Sequence, residues 1–240
     1  MRKLQYSQYL FKTFFYDIKH LCATNRGYLS FNKVKNDEER WNRLKVKMKQ
    51  LKENTDNEAR QFRVFSLYHL NRFTLFNPYY AHLVYERLKP KSIIDPFAGY
   101  GGRLLGALES NCFYTGFDMN TDLKKGYDEI FKDFPQLCER CSIEFINSNT
   151  VDFTDYEYDM IFTSPPWGGR EIYRNNNYES NEKIKQTVID ILVKAYHELK
   201  EGGLMVVNIP KGLMKRLNKC LSKEPDVINM GSGSYIFYIY

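Results

Sequence analysis

Long apolar runs are absent from this chain of 240 residues, and none of its segments reaches the length of a membrane span. The first residues, Met1-Arg2-Lys3-Leu4, are basic but lack the apolar core of a secretion signal. Five cysteines and four histidines are present, yet only Cys138 and Cys141 stand at a spacing that zinc sites use, without a second pair. We therefore expect an intracellular protein, in the cytoplasm or nucleus of its host cell, with free thiols and no bound metal.

Aromatic residues, in contrast, are plentiful, with 19 Tyr and 17 Phe. A chain of this size and composition can bury a sizeable core, so the sequence does not indicate disorder. The formal net charge of +6 suits a polyanionic partner, although many unrelated proteins are as basic.

The sequence pattern changes near residue 75. Residues 1–75 are predicted to form a basic helical extension that binds the substrate or a partner. One helix is predicted to begin at a capping box formed by Asn36 and Glu39. Its basic residues either face solvent or track phosphates, and both interpretations stay open. They are Arg40, Arg43, Lys45, Lys47, Lys49 and Lys52.

Residues 76–240 alternate between short apolar strands and helices, and we treat them as one domain. This alternation predicts an α/β fold whose mostly parallel sheet is covered by helices on both faces. The predicted strands are 92–94, 113–117, 143–146, 158–162, 204–209 and 235–240.

The most informative motif is Ser164-Pro165-Pro166-Trp167, at the end of the fourth predicted strand. The lone pair of an exocyclic amino group on a nucleobase is delocalised into the ring, so its nitrogen is a poor nucleophile. Two fixed acceptors, the Ser164 hydroxyl and the Pro165 carbonyl, can draw its N–H protons and favour a reactive nitrogen. Proline fixes φ and keeps the turn rigid, and the ring of Trp167 can stack on a base.

A second motif lies between a strand and a helix, where α/β sheets bind nucleotide-like ligands: Asp95-Pro96-Phe97-Ala98-Gly99-Tyr100-Gly101-Gly102-Arg103. It does not match the sequence pattern of a phosphate-binding loop. Its first residue, Asp95, suits an amine-bearing ligand better than a phosphate. Asp118 ends the next strand, where an acid typically binds ribose hydroxyls. Asn149 follows the third strand and could contact an adenine amino group.

Together these motifs resemble the S-adenosylmethionine-dependent amino-methyltransferases that carry a D/N/S-P-P-Y/F/W turn. The resemblance implies a Rossmann-like class I methyltransferase fold with a seven-stranded sheet and S-adenosylmethionine as cofactor. It assigns catalysis to the turn Ser164, Pro165, Pro166 and Trp167. The cofactor residues that it implies are Asp95, Pro96, Phe97, Ala98, Gly99, Gly101, Asp118, Met119, Asn149 and Asn77.

The resemblance fixes the reaction more tightly than the substrate. The run from Asp95 through Arg103 to Ala107 is similar to phage- and virus-type DNA methylases, so the main hypothesis is N4-cytosine or N6-adenine methylation of DNA. The stretch from Ser164 to Gly169 is instead similar to enzymes that methylate N2 of the RNA cap guanosine. Other RNA bases, a protein glutamine and a catalytically inactive subunit are further alternatives.

Substrate contacts are also predicted just beyond the turn. Trp167, Arg170, Glu171 and Tyr173 are the candidate substrate-binding residues. Only about ten residues separate Asn149 from the fourth strand, so a large target-recognition domain has no room there. Either selectivity comes from the N-terminal helices, from the 168–181 loop or from a protein partner, or sequence selectivity is poor.

Overall fold

A computed structural model describes residues 3–20, 29–53, 56–68, 75–166, 180–230 and 236–240. These residues fall into two compact units. The first comprises the described parts of residues 1–13, 75–167 and 179–240, and the second comprises the described parts of residues 14–74. None of the helices in the described ranges is long and apolar enough to cross a membrane.

In chain order, the α-helices within the described residues are α1 (Lys3–Thr13), α2 (Phe15–Ile18), α3 (Phe31–Lys35), α4 (Glu38–Gln50), α5 (Glu58–Tyr68), α6 (Pro78–Leu88), α7 (Gly102–Gly106), α8 (Lys124–Asp133), α9 (Asn181–His197) and α10 (Lys211–Leu221).

Within the described residues, seven strands form one sheet in the first unit. They are β1 (Ser92–Asp95), β2 (Phe113–Phe117), β3 (Cys141–Glu144), β4 (Met160–Thr163), β5 (Leu204–Val207), β6 (Asp226–Asn229) and β7 (Ile236–Ile239). The strand order is β3-β2-β1-β4-β5-β7-β6, parallel from β3 to β5 and antiparallel for β7 and β6. This mostly parallel, seven-stranded sheet confirms the predicted fold.

Both faces of the sheet are covered, and β4 shows how its sequence achieves this. Successive side chains of a strand point to opposite faces, so a strand buried on both sides is apolar throughout. Ile161 joins an apolar cluster with residues of α9 and α10 on one face. The ring of Phe162 packs instead against Tyr85 of α6 and Phe237 of β7, with ring centroids 5.4 and 5.6 Å apart.

The first helix, α1, belongs to the sheet-containing unit. It packs against α6 and α7. The Tyr9 hydroxyl donates a hydrogen bond to Asp133 at 3.0 Å, and its ring meets that of Phe134 edge-on. Burial, followed by the hydrogen bond to Asp133, raises the pKa of Tyr9 to about 12. The binding function predicted for residues 1–75 stays a prediction.

The second unit is helical in its described part, α2 to α5. Phe31, Phe62 and Phe65 form an aromatic core in which Phe31 lies 5.5 Å from each of the other two ring centroids. The predicted capping residue of α4 was wrong by one position. Asp37, rather than Asn36, adopts the extended cap conformation and accepts a hydrogen bond from the Arg40 amide.

The basic residues of α4 are partly neutralised by neighbouring acids. Arg40 forms an ion pair with Asp37 at 3.1 Å, and Arg43 pairs with Glu39 one helical turn away. These pairs favour the solvated interpretation for the two arginines, and phosphate binding by the lysines of the same helix stays a prediction.

We expect Gly106→Ala to lower the free energy of unfolding by about 1–3 kcal/mol, because overpacking a tight contact forces the backbone apart. A Cβ at this position would fall against Ala81 Cβ and 3.1 Å from the His82 amide nitrogen, where α7 crosses α6. The matched control is Gly212→Ala in α10, whose Cβ would meet open space and whose stability should stay equal or rise. Urea denaturation of both variants measures the difference, and equal midpoints would contradict this packing.

Candidate functional site

Polar residues stand at the carboxyl ends of four neighbouring parallel strands. Asp95 ends β1, Asp118 follows β2, Ser164 follows β4 and Asn208 follows β5. Because these strands are parallel and adjacent, their ends share one rim of the sheet, which is where open α/β folds bind ligands. The structure thus brings together three of the predicted strand-end residues and adds Asn208, which the sequence motifs did not single out.

Asp95 is fully buried and its carboxylate meets donors from four directions. It accepts hydrogen bonds from Arg103 Nε at 2.6 Å, Tyr114 Oη at 2.6 Å and Thr163 Oγ1 at 2.7 Å. The Phe97 amide adds a fourth bond at 3.2 Å. This arrangement makes Asp95 the anchor of the loop. Its contact with the cofactor stays a prediction, and the four hydrogen bonds that its carboxylate already accepts within the protein do not favour it.

Arg103 is the partner that balances the Asp95 charge. Its side chain is almost wholly buried, its guanidinium also donates to the Phe97 carbonyl, and it lies 4.8 Å from the centre of the Phe76 ring. Burial alone would lower the pKa of Arg103, but the adjacent Asp95 carboxylate raises it above the ordinary value. The Arg103 guanidinium therefore stays charged, and its contacts join β1 to α7.

The loop that follows Asp95 is held at several points. The Ala98 amide donates to the Phe117 carbonyl at 2.8 Å, and the Tyr127 hydroxyl donates to the Gly99 carbonyl at 2.8 Å. Gly99 and Gly101 have φ of 59° and 74°, a region that costs glycine little and other residues more. A preorganised loop with accessible backbone is the feature that a closely approaching ligand requires.

Asp118 lies half-buried at the rim. Its carboxylate accepts hydrogen bonds from the Gly99 and Asn120 amides, both at 2.8 Å, so it also ties the loop to β2. Burial raises the pKa of Asp118 to about 6, although these two amides act in the opposite direction. Each carboxylate oxygen keeps a further lone pair, which can accept a hydroxyl of a ribose.

Two exposed apolar side chains stand beside this acid. Met119 is 59% exposed and Ile146 is 39% exposed. They lie two residues beyond Phe117 and Glu144, which pair in the parallel ladder between β2 and β3. Met119 was predicted from the family resemblance, whereas Ile146 was missed as a site residue because the sequence placed it within the third predicted strand, 143–146, which in the structure ends at Glu144.

The other two predicted cofactor residues are placed differently. Asn149 is exposed in a short 3-10 turn, Ser148–Thr150, and its amide donates to the Asn147 side chain. Asn77 is the N-cap of α6, and its Oδ1 accepts a hydrogen bond from the Tyr79 amide at 3.0 Å. That oxygen therefore has a helix-capping role, and cofactor contacts of Asn77 and Asn149 stay predictions.

Ser164 is half-buried at the end of β4, followed by the buried Pro165. Its Oγ lies 3.3 Å from Asn208 Oδ1 and 3.5 Å from the Asn208 main-chain oxygen. The predicted residues Trp167, Arg170, Glu171 and Tyr173 lie outside the described residues, as do Gly168 and Gly169 of the motif.

A family of known proteins matches this region. The family model described as RNA cap guanine-N2 methyltransferase matches residues 90–214, which is more than half of the chain. The chain belongs to this family. The match includes both the Asp95 loop and the Ser164 turn, and it confirms S-adenosylmethionine as the cofactor. It does not support the resemblance to phage- and virus-type DNA methylases, which was the first hypothesis for the substrate.

Individual relatives are more distant. Trimethylguanosine synthase of Saccharomyces cerevisiae is 37% identical over 49 residues, which are 20% of this chain and 16% of the yeast protein. The tRNA (guanine(10)-N2)-dimethyltransferase of Methanothermobacter thermautotrophicus is 29% identical over 119 residues, 49% of this chain and 32% of that protein. The chain thus matches no more than about a third of the length of these curated relatives.

Solved structures support the fold. The crystal structure of TrmN from Thermus thermophilus superposes with a TM-score of 0.50 and 18% sequence identity, covering 70% of this chain and 48% of that one. At this identity the likeness supports the Rossmann-like methyltransferase fold alone.

The residues at the rim suit S-adenosylmethionine. Gly99 is only half-buried, and a Cβ added there would have the Phe97 carbonyl oxygen as its one neighbour within 4 Å, at 3.9 Å, among the described residues. Asp118 offers oxygens to a ribose, and the exposed Met119 and Ile146 offer apolar surface to an adenine. A hydrogen-bond acceptor next to an apolar surface is the combination that a nucleoside-bearing cofactor needs.

Proposed function

We propose that this protein transfers a methyl group from S-adenosylmethionine to the N2 amino group of a guanosine in RNA, with the cap guanosine as the first candidate. The observation that carries the proposal is the family match over residues 90–214, which includes both the cofactor loop and Ser164. The charge of +6 is compatible with an RNA substrate. The DNA hypothesis has no comparable support.

In this reaction the protein mainly positions its two substrates. S-adenosylmethionine, when bound, supplies an electrophilic methyl group. Asp118 would accept hydrogen bonds from its ribose hydroxyls, and the Gly99–Gly101 loop would contact its methionine part. Ser164 Oγ and the Pro165 carbonyl accept hydrogen bonds from the guanine amino group and orient its lone pair towards the methyl carbon. Trp167 stacks on the base, and the released proton passes to solvent because Ser164 is a weak base.

A second candidate substrate is a guanosine within tRNA. The similarity to the archaeal tRNA (guanine(10)-N2)-dimethyltransferase extends over 119 residues, more than twice the length of the yeast match. The atom methylated is the same in both proposals, so the chemistry of the Ser164 turn does not distinguish them.

The deciding experiment is a methyl-transfer assay with isotopically labelled S-adenosylmethionine. Capped RNA, the same RNA without a cap, tRNA and DNA are each incubated with the protein, and their nucleosides are separated by mass spectrometry. Label in N2-methylguanosine from capped RNA supports the main proposal, and label in the same nucleoside from tRNA supports the second. Label in methylcytosine or methyladenine of DNA would overturn both.

We expect cofactor affinity to fall as the pH decreases from 7 to 5. The ionised form of Asp118 accepts hydrogen bonds from the ribose hydroxyls. Because the pKa of Asp118 is about 6, its carboxylate loses its charge between pH 7 and pH 5. The dissociation constant for S-adenosylmethionine, measured by isothermal titration calorimetry, should rise by about tenfold between pH 7 and pH 5.

Asp118→Asn is the matched control because it keeps one acceptor oxygen and cannot titrate. We expect weaker binding at pH 7 and a nearly flat dependence between pH 5 and pH 7. A pH dependence as steep as that of the wild type would show that another group is responsible.

A further inference from the structure

Asn208 is fixed at the rim by contacts that decide which way its amide points. Its main-chain amide donates to the Thr163 carbonyl at 3.0 Å, and its Nδ2 donates to the Ile236 carbonyl at 2.9 Å. A main-chain carbonyl can only accept a hydrogen bond, so the NH₂ group must face Ile236. The side-chain oxygen therefore faces Ser164, from which it is 3.3 Å away. Only 6% of Asn208 is exposed.

Both groups that Asn208 presents to Ser164 are acceptors. The side-chain Oδ1 lies 3.3 Å from Ser164 Oγ and the main-chain oxygen lies 3.5 Å from it. A serine hydroxyl has one proton and two lone pairs, and it rotates to suit its partners. With acceptors on this side, the proton points at Asn208 and the lone pairs point away from it.

We propose that Asn208 is a positioning residue that keeps the Ser164 hydroxyl as a hydrogen-bond acceptor for the target amino group. Without it, the hydroxyl can rotate and direct its proton at the substrate nitrogen, which would occupy the lone pair that must attack. This inference rests on the proposed function, because it requires an amino group as methyl acceptor.

The pairing of the strands explains why this residue can act there. Thr163 and Val207 are partners in the parallel ladder of β4 and β5, so Ser164 and Asn208 are the next residues along both strands. An asparagine is needed because it donates to β7 with one atom and accepts from Ser164 with another. An aspartate would keep the acceptor and lose the donor, and an alanine would lose both.

The test is a double-mutant cycle with Asn208→Ala, Ser164→Ala, the double variant and the wild type. We measure kcat, KM and the dissociation constant for S-adenosylmethionine with capped RNA as acceptor. Asn208→Ala should lower kcat by about tenfold, the size of one ordinary hydrogen bond, and leave cofactor binding within about twofold. In the Ser164→Ala background the same change should alter kcat by less than about twofold, because no hydroxyl remains to orient.

Two further variants separate this role from a structural one. Asn218→Ala removes another buried amide of the same unit, one that bonds to Glu224 and Tyr240, and should reduce stability while kcat stays within about twofold. Asn208→Asp keeps the acceptor towards Ser164, and its kcat should stay within about threefold of the wild type. If Asn208→Ala does not fold, Asn208→Asp and Asn208→Leu are compared in both serine backgrounds, and only the leucine variant, which has a similar volume but no side-chain acceptor, should lose kcat through Ser164.

Each outcome of the cycle supports or overturns the role of Asn208. An equal loss of kcat in the presence and absence of the serine hydroxyl would overturn the inference, as would an unchanged kcat for Asn208→Ala. A wild-type protein that methylates the amino group of a different base overturns the proposed substrate only, and the cycle on that base still decides the role of Asn208. A wild-type protein that methylates no acceptor overturns both.

Discussion

Arg103→Met is expected to lower the free energy of unfolding by about 3–5 kcal/mol, because it leaves the buried Asp95 carboxylate without its counter-charge. Asp95 is fully buried, and the Arg103 side chain is only 3% exposed, with Nε 2.6 Å from the carboxylate. The remaining donors, Tyr114, Thr163 and the Phe97 amide, are neutral and compensate only in part. Urea denaturation followed by circular dichroism measures the loss, which is a large share of the stability of an ordinary domain.

Two comparisons make this prediction specific. Asp95→Asn combined with Arg103→Met removes both charges and should be more stable than Arg103→Met alone, because no uncompensated charge remains. Arg216→Met breaks an exposed ion pair with Glu182 in the same unit and should unfold at nearly the wild-type urea concentration. Equal losses for Arg103→Met and Arg216→Met would show that the Asp95 pair does not hold the loop.

The same ion pair bears on the sequence resemblance to DNA methylases, which the family match does not support. The run from Asp95 to Arg103 resembled DNA methylases, and Asp95 was predicted to contact the cofactor. In the structure the two charged residues bind each other and fasten β1 to α7. Asp95 and Arg103 therefore anchor the loop, a role that does not require one particular target base.

The fold was more predictable than its details because hydrophobic patterning specifies strands buried on both faces. The first five predicted strands correspond to β1 to β5, and their boundaries differ from the observed ones by up to a few residues. The edge strand β6 was missed because only Ile228 of its four residues is buried, which gives almost no apolar signal. The packing of α1 on Asp133 and Phe134 joins residues more than 120 positions apart, a distance over which no local pattern is informative.

The candidate site was predictable where a polar residue follows the end of an apolar strand. Asp118 and Ser164 follow this rule, and the structure places them on one rim. Asn208 was missed although it too follows a buried strand, because its significance depends on pairing with Ser164 across the sheet. Ile146 was missed for the same reason, because its relevance depends on the pairing of β2 with β3, two residues beyond which Met119 and Ile146 lie.

Ser164→Ala is expected to reduce kcat for methyl transfer by roughly 10²-fold, the usual loss when one preorganised polar group is removed from a reaction centre. Its hydroxyl is one of the two acceptors that we propose for the target amino group. The Ser164 hydroxyl donates its proton to Asn208, whereas other residues hold the cofactor loop in place. The dissociation constants for S-adenosylmethionine and for RNA should therefore stay within about twofold of wild type. Single-turnover assays with labelled cofactor separate the chemical step from binding.

Ser164→Cys extends this test, because sulfur has similar bonding geometry but is a weak acceptor. Its kcat should lie between those of Ser164→Ala and the wild type if acceptor strength matters, and should match the wild type if the side chain merely fills space. Ser142→Ala serves as the control, since this exposed serine of β3 donates its hydroxyl proton to Thr115 and should keep full activity when replaced. If Ser164→Ala also retains full activity with guanosine as acceptor, the amino group is oriented by other residues and the proposed role of the turn is wrong.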